Sequence, residues 1–256
     1  MSERTVLKSE KAELAPASMP LSLRWDAPLP DLAFLGLFLL MALCHLVSAL
    51  LALGWITATL CDGIVLGYLA VVLLARPEWR PLIGRLLLFG LVAGIVELAT
   101  DAAGEQIARS LVYPADEPML WHSPAYMPIS WMIVLTLLGY LGWRLAGLLP
   151  LGWAMALSGL AGMLIIPFYE ESAWYAGWWR YTTLPRLGHT PVYVFLFEGG
   201  IVATLPLLAR GLERLPLGWV AARGLILGAW MPLVAFVTWR LLGAAAGAGV
   251  GALGVQ

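Results

Sequence analysis

Seven stretches of about 20 largely apolar residues decide what this chain can fold into. A helix rising about 1.5 Å per residue needs that length to cross a hydrocarbon layer about 30 Å thick. The stretches fall near 32–53, 55–75, 82–103, 128–149, 151–168, 191–209 and 217–242. In lipid the backbone must satisfy its own hydrogen bonds, so each is predicted to be a helix. Only 12% of the residues are charged, against about 25% in soluble domains. The predicted fold is therefore all-α: a polytopic membrane protein with a seven-helix transmembrane bundle over 31–243. It is flanked by a polar cytosolic tail at 1–30 and a flexible Gly/Ala-rich tail at 244–256.

The first apolar run is too long for a signal-peptide core and lacks a small-residue cleavage site, so nothing is expected to be removed. Arginine and lysine bias sets orientation. With the N-terminus inside, the inner segments hold Arg4, Lys8, Lys11, Arg24, Arg76, Arg80, Arg85, Arg144, Arg210, Arg214 and Arg223. The outer segments keep Arg109, Arg180, Arg186 and Arg240. Eleven against four predicts N-in, C-out. A bacterial inner membrane is the expected location.

Several classes are excluded. A net charge of -1 without a basic patch argues against a nucleic-acid partner. The only lysines, Lys8 and Lys11, lie in the tail, so no retinal Schiff base can form in a membrane helix. No asparagine occurs anywhere, which disfavours prenyltransferases with Asn/Asp-rich diphosphate motifs. Cys44 and Cys61 sit inside apolar spans and read as small buried residues.

Polar residues inside the spans are the functional candidates, because an intramembrane ionisable group is costly. Glu97, Asp101 and Glu105 at i, i+4 and i+8 line one face of the third span. Glu198 lies about 10 Å inside the sixth. His45 and Asp62 flank a turn near Gly54 at similar depth, about 12 Å down, where they could pair. Ile166 to Gly199 then gathers Glu170, Glu171, Trp174, Tyr175, Trp178, Trp179, Tyr181 and His189 in one short stretch. All are expected to converge on the outer half of the bundle.

The two long outer loops share a theme. His122-Ser-Pro124-Ala-Tyr126 matches His189-Thr-Pro191-Val-Tyr193 position for position, each after an acid-bearing helix end and an aromatic loop that includes Trp121 in the first. This reads as an internal duplication, spans three and four echoing five and six, and repeats in membrane proteins often place the site at their interface. Trp25, Trp55, Trp143, Trp153, Trp219 and Trp239 read as interfacial anchors, and Asp116 and Glu117 as plain loop charges.

A deep carboxyl group in a dry pocket can hold a proton and deliver it to a substrate. Aromatic faces stabilise a developing cation by about 0.5–2 kcal/mol each. Together they suit acid-initiated chemistry on an isoprenoid double bond, ended by water or by proton loss. The expected catalytic acids are Glu97, Asp101, Glu170, Glu171 and Glu198. The expected substrate-binding residues are His45, Asp62, Trp121, His122, Tyr126, Trp174, Trp178, Trp179, Tyr181, His189 and Tyr193. No cofactor is expected, and the substrate would arrive from the bilayer.

Seven spans, acids at the outer ends of the third and fifth, and the string Pro167-Phe-Tyr-Glu170-Glu171 resemble the membrane-integral carotenoid cyclases and hydratases. These include small lycopene cyclases with a Pro-x-Glu-Glu signature, one residue shorter than the spacing here. Compact membrane terpene cyclases of fungal meroterpenoid pathways are similar in span count and paired acids. The resemblance covers about 90–200 and implies Glu170 or Glu171 as proton donor, with Glu97 and Asp101 as partner acids. Two alternatives stand beside it. One is a lipid or small-molecule carrier, or a membrane-complex subunit, with a carboxylate relay. The other is a metal-dependent membrane enzyme built on His45, His122, His189 and the acids.

Overall fold

A computed structural model describes residues 28–182 and 185–243. Seven helices are long and apolar enough to cross a membrane, so the all-α polytopic fold holds. The chain runs α1 (Pro28–Leu51), α2 (Trp55–Ala75), a 3-10 turn (Pro77–Trp79), α3 (Arg80–Gln106), α4 (Met127–Leu148) and α5 (Leu151–Ala176). It continues through α6 (Val192–Val202), α7 (Leu205–Ala209) and α8 (Leu217–Thr238), which ends in a π turn (Trp239–Gly243). The tail residues Arg4, Lys8, Lys11 and Arg24 lie outside the described residues, as does 244–256.

Two spans depart from the sequence expectation. The fifth runs eight residues past 168, because Pro167 is absorbed inside α5 rather than ending it. Gly177, in the left-handed conformation at φ 75°, closes it instead. The acids Glu170 and Glu171 thus lie within the last two turns of the helix. The sixth span breaks between Val202 and Leu205, where Pro206 enters the first turn of α7.

Leucines such as Leu43, Leu50 and Leu74 are exposed on the outside of the bundle, as lipid-facing residues should be. Inside, α3 is the central helix, packed along α4 and α8, while α5 packs along α6 and α1. Small residues allow the closest of these approaches. A Cβ at Gly224 of α8 would lie 2.7 Å from the Phe89 carbonyl oxygen of α3, and one at Gly94 of α3 would lie 2.8 Å from the Pro128 carbonyl oxygen of α4.

The two ends of the bundle differ. At one, Asp31 accepts from the Tyr140 hydroxyl at 2.6 Å and pairs with Arg144 at 2.9 Å, while the Trp143 indole donates to Glu213. At the other, the loops after α3 and α5 fold together. β1 (Leu111–Val112) pairs with β4 (Arg180–Tyr181), tying one loop to the other. β2 (Met119–Leu120) pairs with β3 (Ser123–Pro124), and β5 (Arg186–Leu187) with β6 (Thr190–Pro191), each a tight hairpin. Two loops some 70 residues apart therefore form one roof.

Candidate functional site

Beneath that roof lies a cavity of about 250 Å³, walled mainly by apolar side chains. Four carboxyl groups from three helices reach it: Glu97 and Asp101 from α3, Glu170 from α5 and Glu198 from α6. Glu97 and Asp101 are one turn apart and so share a face. Glu97 and Glu198 are each only 2% exposed, and one carboxyl oxygen of each has no hydrogen-bond partner. All four share one mainly apolar cavity.

The others are held by donors from the roof. Tyr113 donates its hydroxyl to Asp101 at 2.7 Å, and Trp179 donates its indole N–H to Glu170 at 2.6 Å. Burial, together with the charges of the neighbouring acids, holds the Tyr113 and Tyr181 hydroxyls well above the usual phenol range. Both therefore remain donors. Tyr126, Trp178, Trp179, Tyr181 and Tyr193 all line the cavity. The Trp178 indole donates to Thr57 at 2.9 Å and the Tyr193 hydroxyl to Ser110 at 3.2 Å, which fixes both rings.

A second polar station faces the same space from α1 and α2. Asp62 lines it and accepts from Ser130 of α4 at 2.7 Å. His45 lines it too, with ring centroids 4.4 Å from Tyr169 and 4.8 Å from Trp178, and its Nδ1 has no partner. The pairing of His45 with Asp62 expected from their common depth is replaced by these contacts, because Ser130 takes the aspartate oxygen. Cys44 and Cys61 are buried free thiols on the same wall.

Five expected site residues lie elsewhere. Consecutive helical residues sit about 100° apart around the axis, and of Glu170 and Glu171 only the first lines the cavity. Glu171 turns to the β5–β6 hairpin, where it accepts from the backbone N–H groups of His189 and Thr190 and contacts His189 Nδ1 at 2.9 Å. His189 in turn stacks on Trp174, ring centroids 4.3 Å apart, so neither reaches the cavity. His122 is held outside by Glu105 at 2.8 Å. Trp121, at a hairpin tip with φ 60°, is 64% exposed. Its turn swings the ring away from the chamber.

The two His-x-Pro-x-Tyr strings fold alike. Each begins at the second residue of a two-residue turn whose first residue, Trp121 or Gly188, has φ near 60°. Each histidine binds a glutamate from the preceding helix, and each tyrosine lines the cavity.

Sequence reasoning missed Tyr113 and Glu117. Glu117 is 5% exposed rather than a plain loop charge, with one carboxyl oxygen unpartnered and the other 3.5 Å from the Tyr126 hydroxyl. Burial pushes its carboxyl up to about 7. The signal that could have found both is their place in a loop tied down at each end, between α3 and the helix-initiating Pro128. Among the described residues no three His, Cys, Asp or Glu side chains come close enough together to hold a metal ion. The histidine-and-carboxylate metal centre weighed from the sequence thus lacks a ligand set there.

A family model described as a domain of unknown function (DUF6989) matches residues 98–242, from the last turns of α3 to the π turn. No curated protein and no solved structure matches the chain.

Proposed function

The chain belongs to that family of unknown function (DUF6989), so its chemistry has to be read from its residues, and we propose that it is an intramembrane acid–base enzyme acting on an isoprenoid or polyene lipid. One observation carries this reading: Glu97 and Glu198, each buried and each with an unpartnered carboxyl oxygen, line a mainly apolar, aromatic-walled cavity.

A carboxyl group of the cluster gives its proton to one carbon of a substrate double bond, so that a C–H bond forms, the π bond breaks and a carbocation remains. The faces of Trp178, Trp179 and Tyr181 shelter that charge. The reaction ends when a neighbouring C–H proton returns to the carboxylate, or when water adds and loses its proton there. Cyclisation and hydration share the protonation; cyclisation adds attack of a second double bond of the substrate on the carbocation, which forms the ring C–C bond, breaks that π bond and leaves a new carbocation, before the proton is lost. Glu170 remains available as donor or as partner acid, held by Trp179, whereas Glu171 is occupied by the His189 hairpin.

Among the described residues no arginine or lysine lines the cavity, which favours an uncharged lipid over a prenyl diphosphate. In the N-in, C-out orientation drawn from the arginine bias, the chamber faces the outer leaflet of a cytoplasmic membrane. The test is mass spectrometry of lipid extracts from cells carrying the wild-type protein, Glu97→Gln or Glu198→Gln, or no copy. A lipid species present only with the wild-type protein, shifted by one water or by an isomerisation, is the expected result. Indistinguishable extracts from all four would end the reading.

A further inference from the structure

The five acids of the cavity, Asp62, Glu97, Asp101, Glu170 and Glu198, have no arginine or lysine among the residues that line it. None of them takes part in an ion pair with arginine or lysine among the described residues. Their charge can therefore be met from within only by protons, or from outside by a cation. Independent of the acids, Tyr169 and His45 line the same space, and the Tyr169 hydroxyl and His45 Nδ1 are buried without hydrogen-bond partners. Polar groups buried this way normally find a partner.

The walls favour a particular kind of cation. A hydrated inorganic ion wants a shell of oxygen ligands, whereas this cavity presents mostly carbon and several aromatic rings. Indole and phenol faces bind quaternary ammonium groups by their quadrupole, most strongly when water is excluded. Access is apolar as well. Ile107 at the end of α3 and Phe236 on α8 both border the cavity and are largely exposed on the bundle surface.

We infer that the chamber is a binding site for a lipophilic organic cation, an amine or quaternary ammonium compound held between the Glu97 and Glu198 carboxyl groups and the surrounding rings. This goes beyond the proposed reaction and holds whether or not turnover occurs. A stable cation occupies the place that a transient carbocation would take, and a carrier would need the same site.

The test compares benzyltrimethylammonium with its uncharged carbon isostere, neopentylbenzene, by quenching of tryptophan fluorescence in full-length protein reconstituted in nanodiscs. Trp178 and Trp179 in the wall supply the signal. The cation should bind the wild-type protein about tenfold or more tightly than the isostere, from two or more ring faces and a carboxylate. Glu97→Gln and Glu198→Gln, which keep side-chain shape, should erase most of that preference. Equal binding of the two probes to the wild-type protein overturns the inference, and so does a preference that survives both substitutions. Cation selectivity with unchanged lipid extracts would leave this site intact while removing the enzymatic reading.

Discussion

Glu170 and Glu171, adjacent in the chain, face different sides of α5: the first accepts the Trp179 indole N–H at 2.6 Å within the chamber, the second binds the His189 hairpin outside it. One lines the cavity and the other holds the roof. Glu170→Gln should preserve the fold, since the amide oxygen still accepts from Trp179, and should lower turnover by about 100-fold or more if a proton passes through it. Glu171→Gln cannot accept as many hydrogen bonds and should lose about 1–3 kcal/mol of stability with turnover within a few-fold. Thermal unfolding in nanodiscs and product yield from lipid extracts check the pair. The opposite pattern would exchange their roles.

Tyr113 donates to Asp101 from the loop that roofs the cavity, at 2.7 Å. Without that hydroxyl, Asp101 loses its roof donor while the apolar volume of the ring is kept. Tyr113→Phe should cost about 1–3 kcal/mol of stability and lower turnover about tenfold, by disturbing the acid it positions beside Glu97. Rates of product formation in membranes of matched protein content test this, and an unchanged rate would leave Asp101 outside the mechanism.

The spans were legible because apolar length alone specifies a membrane helix, and the depth of Glu97 and Glu198 followed from counting residues along them. Which side of a helix faces the chamber was not legible. An all-round apolar helix carries no stripe to mark its inward face, so Glu171 and Glu170 looked equivalent. The fifth span was expected to end at 168, yet α5 continues to Ala176 with Pro167 inside it, because tertiary packing outweighs one lost backbone bond. Glu117 read as a loop charge because its burial beside Tyr126 depends on how the loops of the roof fold together, which the residues next to it do not show. The placement of Trp121, His122, Trp174 and His189 outside the cavity was hidden for the same reason.

Helix contacts through α3 give a stability prediction independent of any chemistry. A Cβ at Gly224 would meet the Phe89 carbonyl oxygen at 2.7 Å, and one at Gly228 would meet Val96 Cβ at 2.5 Å, whereas Gly67 on α2 has nothing within 4 Å. Backbone cannot yield as a side chain can. Gly224→Val and Gly228→Val should therefore destabilise by about 1–3 kcal/mol or more, reducing the monodisperse fraction on size exclusion. Gly67→Val should behave as wild type, and equal damage at all three would remove close packing of α3 and α8 as the cause.

Glu117 sets a pH dependence whose sign can be worked out. Its carboxyl is raised from 4.5 to about 7, chiefly by burial, with Asp116 adding to the rise and the Tyr126 hydroxyl opposing it. The folded protein therefore holds this proton more tightly than the unfolded chain does. Its contribution to stability is fully present below pH 4.5, declines as pH rises toward about 7, and is gone above it. The loss is on the order of 3 kcal/mol. Glu117→Gln, which cannot ionise, should flatten that part of the curve and overtake the wild type near pH 8. Thermal unfolding across pH 4 to 8 in nanodiscs measures the difference; parallel curves for the two proteins would mean that Glu117 is solvated and ionises as an ordinary carboxylate.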